Sequence, residues 1–114
     1  MRTITGSAAL ACTAGAALAL SLVAGQATAA SSARITLENV RFTPKTVQVQ
    51  RGGRVTWIWK DGSTPHNVAS RGSRRFKSSS VKTRGTHVVR FTKAGTYSYI
   101  CTIHPGMTGK VIIR

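Results

Sequence analysis

Four residues in the second half of the chain are of the types that bind a transition metal. Cys101, His104 and Met107 follow one another at intervals of three residues, and His66 lies 35 positions before the cysteine. Taken singly they have ordinary explanations, because a methionine is usually a core residue and a lone cysteine a buried thiol. Their joint occurrence at these spacings, with three of them in a turn between two strands, instead predicts one metal site.

The donor atoms select the metal. Two imidazoles and a thiolate suit copper or zinc, whereas a thioether is a soft donor that copper accepts and zinc sites rarely use. Two histidines, one cysteine and a weak axial methionine are the donors of a blue-copper electron-transfer site. The sequence therefore predicts one copper ion per chain. Such a site has no open coordination position for a substrate, which argues against an enzyme.

Three other functions could use features of the same sequence. A copper carrier or scavenger would use the same four donors and would release the metal readily to a chelator. A thiol enzyme could pair Cys101 with His104, but no oxyanion donor or third orienting group is evident. A polyanion-binding module would depend on the net charge, which is +15 from 17 Lys and Arg against two acidic residues.

The N-terminal residues read as a secretory signal peptide. A basic residue follows the first methionine, an apolar stretch spans 8–24, and Ala27-Thr28-Ala29 forms a small-residue cleavage pattern. We expect cleavage of 1–29 and export of 30–114, as one domain, to the periplasm, the cell surface or the medium. A retained membrane anchor is the alternative, but Ala, Gly, Ser and Thr dilute the stretch. No transmembrane span would remain after cleavage.

The exported domain would keep 16 Lys and Arg against Glu38 and Asp61, a net charge of +14. A charge this large predicts an acidic redox partner or attachment to anionic cell-envelope polymers. Nucleic acid is not an expected partner, because the domain is exported and no basic motif interleaved with aromatic residues appears. Cys101 would be its one cysteine, so no disulfide can stabilise the fold. We expect a monomer.

The elements that must position the donors are strands. After residue 30, short alternating segments are separated by Gly, Pro, Ser and Asn, which is typical of an all-β sandwich or barrel. We predict a Greek-key β-sandwich of seven to eight short strands. The predicted strands include 35–37, 47–50, 55–59, 66–68, 86–91, 97–101 and 109–113. A turn is predicted at Gly52-Gly53.

Other residues are assigned structural roles. The segment 69–84 is basic and serine-rich, and we expect a long, irregular and mobile surface segment with a short edge strand near Phe76. Trp57 and Trp59 alternate on one strand face and are expected in the core. His87 falls on the apolar face of its strand, and nothing near it completes a second site. We therefore predict a structural role for His87.

Three motifs between residues 55 and 111 match a known pattern. They are Val55-x-Trp57, Pro65-His66-Asn67-Val68 and Gly95-x-Tyr97-x-Tyr99-x-Cys101-x-x-His104-Pro105-x-Met107-x-Gly109-x-Val111. With them the chain resembles the cupredoxin family, most closely its amicyanin and plastocyanin branch. The resemblance covers essentially all of 30–114, and the two-residue gap between His104 and Met107 is similar to that of amicyanins.

The resemblance implies a role for each ligand residue. His66, Cys101 and His104 would form a trigonal plane around the copper ion, with Met107 as a long axial ligand. Asn67 would tie the first ligand loop to Thr102, the residue after the cysteine, and would help to orient the sulfur. The strongly basic segment 69–84 and the near absence of acidic residues are departures from the family.

The resemblance also implies how electrons would reach the metal. His104 would lie nearest the surface and serve as the electron port. Ile103, Pro105 and Gly106 around it would form a small apolar docking patch. Tyr97 matches the tyrosine of a strand-end corner, which is a structural role.

Overall fold

A computed structural model of the chain describes residues 29–114, and the predicted signal peptide lies outside the described residues except for Ala29. Every regular element within 29–114 is a strand, and none of these residues forms a helix long and apolar enough to cross a membrane. The strands are β1 (Ala30–Glu38), β2 (Arg41–Thr43), β3 (Thr46–Trp59), β4 (Ala69–Arg71), β5 (Thr86–Phe91), β6 (Gly95–Ile100) and β7 (Thr108–Ile113). The prediction of an all-β fold with seven to eight strands is confirmed.

All seven strands are joined by backbone hydrogen bonds. The order is β2-β1-β3-β7-β6-β4, and β5 also pairs with β3. The pairs of β3 with β1 and with β7 are parallel, and the remaining pairs are antiparallel. Because β3 pairs with three other strands, it is the element that connects the two halves of the fold.

β3 makes these pairs by turning a corner near its middle. Residues 46–49 pair with β7, whereas residues 53–58 pair with β5 and residues 54–59 pair with β1, which also reaches Val49 through Ala30. A side chain at Gly53 would collide with the backbone oxygens of Ser31 and Gln50, so only glycine fits there. The predicted turn at Gly52-Gly53 is therefore a corner inside one continuous strand.

The core is built around Trp57, which is fully buried. Its indole stacks on the ring of Phe76 with centroids 5.5 Å apart, and it meets Tyr99 edge-on at 5.4 Å. Trp59 is buried as well, so both tryptophans lie in the core as predicted. Phe76 belongs to the basic segment 69–84, whose first three residues form β4 and are therefore not irregular as predicted. Its contact with Trp57 anchors the rest of that segment to the core.

Serine hydroxyls explain why two of the predicted short strands are displaced. The N–H of Val68 donates to Ser79 Oγ at 2.8 Å, and the N–H of Phe76 donates to Ser70 Oγ at 3.1 Å. These side-chain acceptors occupy backbone donors that a ladder would need. As a result the strand predicted at 66–68 begins at Ala69, and Phe76 lies outside any strand.

We predict that Gly109→Ala destabilises the domain. Gly109 lies directly opposite Tyr99 in the β6–β7 pair, and a Cβ there would overlap the end of the buried tyrosine ring. Overpacking of this kind costs about 1 to 3 kcal/mol. Urea unfolding of the single variants and of Gly109→Ala with Tyr99→Leu would measure it. The shorter leucine should recover part of the loss, and strictly additive losses would contradict the overlap.

Candidate metal centre

Three of the predicted ligands lie in one closed loop between β6 and β7. Cys101 directly follows β6, and Met107 directly precedes β7. The Cys101 N–H donates to the Met107 carbonyl at 2.9 Å, and the Met107 N–H donates to the His104 carbonyl at 3.2 Å. Gly106 allows this tight path because its φ is +85°. The pairing of β6 with β7 therefore brings the three residues together.

His66 reaches this loop from the segment between β3 and β4. Its backbone exchanges two hydrogen bonds of 3.0 Å with Lys82, and its carbonyl accepts a third from the indole Nε1–H of Trp59 at 2.9 Å. The side chain is completely buried. These contacts fix His66 against the core in the metal-free domain.

The donor atoms of three residues converge on one point. Cys101 Sγ lies 3.5 Å from His104 Nδ1 and 3.9 Å from His66 Nδ1, and all three atoms lie within 4.8 Å of one another. Bonds from a metal to such donors are about 2.0 to 2.3 Å long. The spacing therefore fits a single ion. His104 is partly exposed, whereas the other two residues are buried.

Met107 is also buried, with 3% of its surface exposed. It is tied through its backbone to both Cys101 and His104, so the loop holds it beside the three-donor cluster. Its part as a fourth ligand stays a prediction.

Asn67 and Thr102 are in direct contact. Asn67 Oδ1 accepts hydrogen bonds from the backbone N–H of Thr102 at 2.8 Å and from its hydroxyl at 3.2 Å. Each residue is the chain neighbour of a predicted ligand, so this contact joins the loop of His66 to the loop of Cys101. Its influence on a bound metal stays a prediction.

Asp61 is a residue of the site that the sequence analysis missed. Its Oδ2 lies 2.8 Å from His66 Nε2. An ionised carboxylate only accepts hydrogen bonds, so Nε2 carries the proton and Nδ1 keeps a lone pair facing Cys101. The hydrogen bond from His66, and a second from the N–H of Val40, lower the pKa of Asp61. The available signal was that one of only two acidic residues stands five positions before His66.

His87 lies apart from the cluster. Its Nε2 is 2.7 Å from the carbonyl of Lys77, and its ring tilts against Trp57 with centroids 5.9 Å apart. Tyr97 likewise has a structural contact, since its hydroxyl donates to the Lys93 carbonyl at 2.7 Å. Both residues take the structural places expected of them.

A family model described as a cupredoxin-like domain matches residues 10–113. Amicyanin-alpha of Methylorubrum extorquens is 35% identical to the chain over 120 aligned positions that cover both proteins completely. Amicyanin of Paracoccus denitrificans is 33% identical over 84 positions, which are 70% of this chain and 63% of that protein. The predicted resemblance to the amicyanin branch is confirmed.

Solved structures agree with this match. A purple cupredoxin from Nitrosopumilus maritimus superposes with a TM-score of 0.65 at 26% identity, covering 72% of this chain and 99% of that one. A Cu(I) structure of an amicyanin variant superposes with a TM-score of 0.66 at 27% identity, covering 76% and 86%. The fold prediction is thereby confirmed, and the donor cluster of this chain lies in a fold that holds Cu(I) in that relative.

We predict that Asn67→Ala destabilises the metal-free domain by about 1 to 3 kcal/mol, because the Thr102 N–H loses its acceptor. The matched control Thr102→Val removes only the hydroxyl and keeps the backbone donor, so it should lose less than about 1 kcal/mol. Urea unfolding measures both. Equal losses in the two variants would show that the backbone bond does not join the loops.

We also predict a pH dependence from Asp61. Its pKa is lowered in the folded state, so its stabilisation is complete above the unfolded pKa of about 4 and is lost as pH falls through the lower folded value. Asp61→Asn should therefore unfold more easily than the unmodified chain at about pH 7 and equally easily in strong acid. Thermal unfolding across pH measures the difference, and Glu38→Gln, which removes the other acidic side chain without touching His66, is the matched control for lost charge. A difference for Asp61→Asn that does not change with pH would contradict the carboxylate's role.

Proposed function

Because the chain belongs to the cupredoxin family, we propose that it carries single electrons between redox partners through one bound copper ion. The ligands would be His66, Cys101, His104 and Met107. The observation that supports this most directly is the convergence of two imidazole Nδ1 atoms on one thiol sulfur, at 3.5 and 3.9 Å. Nitrogen and sulfur donors of this kind suit copper, and a buried methionine in the same loop adds a soft thioether.

Bound copper would supply a one-electron couple between Cu(I) and Cu(II). The chain's own residues hold the donors still in both states. Asp61 keeps the proton of His66 on Nε2, and Asn67 holds the two ligand loops together. Cys101 would supply a thiolate sulfur to the metal. Donors fixed in this way move little when the charge of the metal changes, which favours rapid transfer.

The chain is an electron carrier and not an enzyme. Four protein donors would leave no open position on a bound copper ion, so a substrate would have no place to bind. Three of the four ligands are buried, and His104 is the partly exposed one. Electrons would therefore enter and leave through the His104 imidazole.

The surface around His104 is suited to brief contact with another protein. Ile103 is 40% exposed, and Pro105 and Gly106 beside it are exposed as well. A small apolar patch of this size supports a weak and transient complex rather than a permanent one. We assign it as the docking patch for the redox partner.

The proposed function also includes a location outside the cytoplasm and an anionic binding partner. The pattern of residues 1–29 supports cleavage of a signal peptide and a working place outside the cytoplasm, at the periplasm or cell surface. The excess of 17 Lys and Arg over two acidic residues supports an acidic redox partner or anionic envelope polymers as the binding partners. Association with either should weaken as ionic strength rises.

The test is the visible spectrum of the purified chain after addition of Cu²⁺. An intense blue band at one copper per chain is expected, since a thiolate–copper bond produces it. Cys101→Ser and His66→Gln should each lose the band. His87→Gln is the matched control, because it removes an imidazole outside the cluster, and it should keep the band. A colourless protein, or a band unaffected by Cys101→Ser, would overturn the proposal.

The rate of copper release to a chelator distinguishes an electron carrier from a copper carrier that uses the same ligands. His66 is fully buried and its backbone is bonded to Trp59 and Lys82, so the metal should be released slowly. We expect the copper to stay bound through repeated cycles of reduction and oxidation in the presence of a Cu(I) chelator. Transfer of copper to the chelator within one cycle would favour the copper carrier.

A further inference from the structure

The strands that flank the ligand loop define the opposite end of the domain. β6 runs from Gly95 toward Cys101, and β7 runs from Thr108 to Ile113. Gly95 and Ile113 are register partners and therefore mark the end far from the metal centre. Both strands have six residues, which at about 3.3 Å per residue separates the two ends by about 20 Å.

Six exposed cationic residues gather at this far end, and we refer to them as the distal basic cluster. They are Arg51, Arg54, Arg74, Arg90, Lys93 and Arg114. The backbone N–H of Arg51 donates to the carbonyl of Arg114 at 3.0 Å, and Arg90 Nε donates to the carbonyl of Gly52 at 3.0 Å. The side chain of Arg74 lies across Gly95. These contacts place the six residues around one end of the sandwich.

Neither acidic side chain of the protein lies at that end. Asp61 is bonded to His66 at the metal centre. Glu38 ends β1 and is the register partner of Arg41, beside the carbonyl of Leu37 that accepts the Lys60 N–H. The distal basic cluster consequently has no carboxylate side chain to neutralise it, and the metal end holds both.

The cluster carries a cost in stability that the fold does not require. Arg54 and Arg90 are direct register partners on β3 and β5, and like charges in such a pair repel. Arg114 Nε is bonded to Gln48 Oε1 at 3.2 Å, and Arg90 Nε is bonded to Gly52. These bonds hold the guanidinium groups of Arg114 and Arg90 in place. The terminal Nη groups of both residues have no hydrogen-bond acceptor within residues 29–114. Those Nη groups are available to a ligand.

Resting on the export and electron transfer proposed above, we propose that the distal basic cluster binds a linear phosphate-bearing polymer of the cell surface and so holds the protein with its metal end pointing away. Five of the six residues are arginine, whose planar guanidinium makes paired hydrogen bonds to phosphate oxygens. The site is separate from the electron port by the length of the strands. A protein tethered there keeps His104 and its docking patch accessible to a redox partner.

Two features favour a polymer over other anionic partners. Of the exposed large apolar residues of the described chain, which are Val40, Val81, Val88 and Ile103, Val88 alone lies on a cluster strand, on the same exposed face of β5 as Arg90. A single valine is too small an apolar surface to anchor the protein in a lipid bilayer. An acidic redox protein bound at this end would lie about 20 Å from the ligand loop, where transfer through His104 is blocked by distance.

The experiment titrates labelled long-chain polyphosphate with the purified copper-loaded protein and follows fluorescence anisotropy at several salt concentrations. Each phosphate contact on a single-stranded polyanion contributes about −0.7 to the slope of log K against log[salt]. Six contacts predict a slope of about −4. A slope near zero, or no binding at about 0.15 M salt, would overturn the proposal.

Matched triple variants locate the site. Arg51→Gln with Arg54→Gln and Arg90→Gln should weaken binding by about tenfold or more at moderate salt and reduce the slope by about 2. Arg41→Gln with Lys45→Gln and Lys60→Gln removes the same charge from the metal end and should change binding by less than about threefold. Equal losses would show that only the net charge matters. The blue band of each variant reports an intact fold and metal centre, independently of polymer binding.

Competing probes identify the ligand class, and one further variant tests the stability argument. Polyphosphate should displace the protein from phosphatidylglycerol vesicles and should bind more tightly than polyglutamate of equal charge. Preferred binding to the vesicles or to polyglutamate would overturn the assignment to a phosphate polymer.

Arg54→Gln alone should unfold at the same or a higher temperature, because it relieves repulsion with Arg90. A large fall in the unfolding temperature would show that Arg54 stabilises the fold instead.

Discussion

The contact between Asn67 and Thr102 closes the distance between two loops that are 35 residues apart in the chain. Asn67 Oδ1 accepts two hydrogen bonds from Thr102, and the neighbours of these residues are His66 and Cys101. One side-chain amide therefore sets how closely an imidazole approaches a thiol. An amide can do this because it is buried, where an unmade hydrogen bond would cost more than a made one contributes. The contact joins the loop of His66 to the loop of Cys101 without any metal present.

The core makes that geometry rigid. Trp57 of β3 stacks on Phe76 of the basic segment 69–84 and meets Tyr99 of β6 edge-on. One group of three aromatic rings therefore joins these parts of the chain. Trp59 adds a bond from its indole nitrogen to the His66 carbonyl, and the Lys82 ammonium lies 4.7 Å from the centre of its ring. Burial also raises the pKa of Tyr99, which keeps its hydroxyl neutral beside the close-packed Gly109. Stiff packing of this kind suits a site whose donors must not move.

The charge of the protein is divided between the two ends of the sandwich. The metal end contains both acidic side chains, and one of them is used to orient His66. The other end contains arginines that face one another without an acidic side chain between them. With the proposed copper site at one end and the cationic surface at the other, attachment and electron transfer would take place at separate ends of the domain.

The sequence by itself determined the chemistry and the class of fold. Donor types and their spacing in Pro65-His66-Asn67 and in Cys101-x-x-His104-x-x-Met107 are local properties, and alternating apolar residues report strands directly. Only the tertiary structure decided which distant groups meet. It brought Asp61 to His66, placed serine hydroxyls where ladder bonds were expected, turned Gly52-Gly53 into a corner within one strand, and collected six cations at the far end. The reason is physical: a side chain's type is written in the sequence, but its neighbours across the sheet are set by register and by packing of the whole chain.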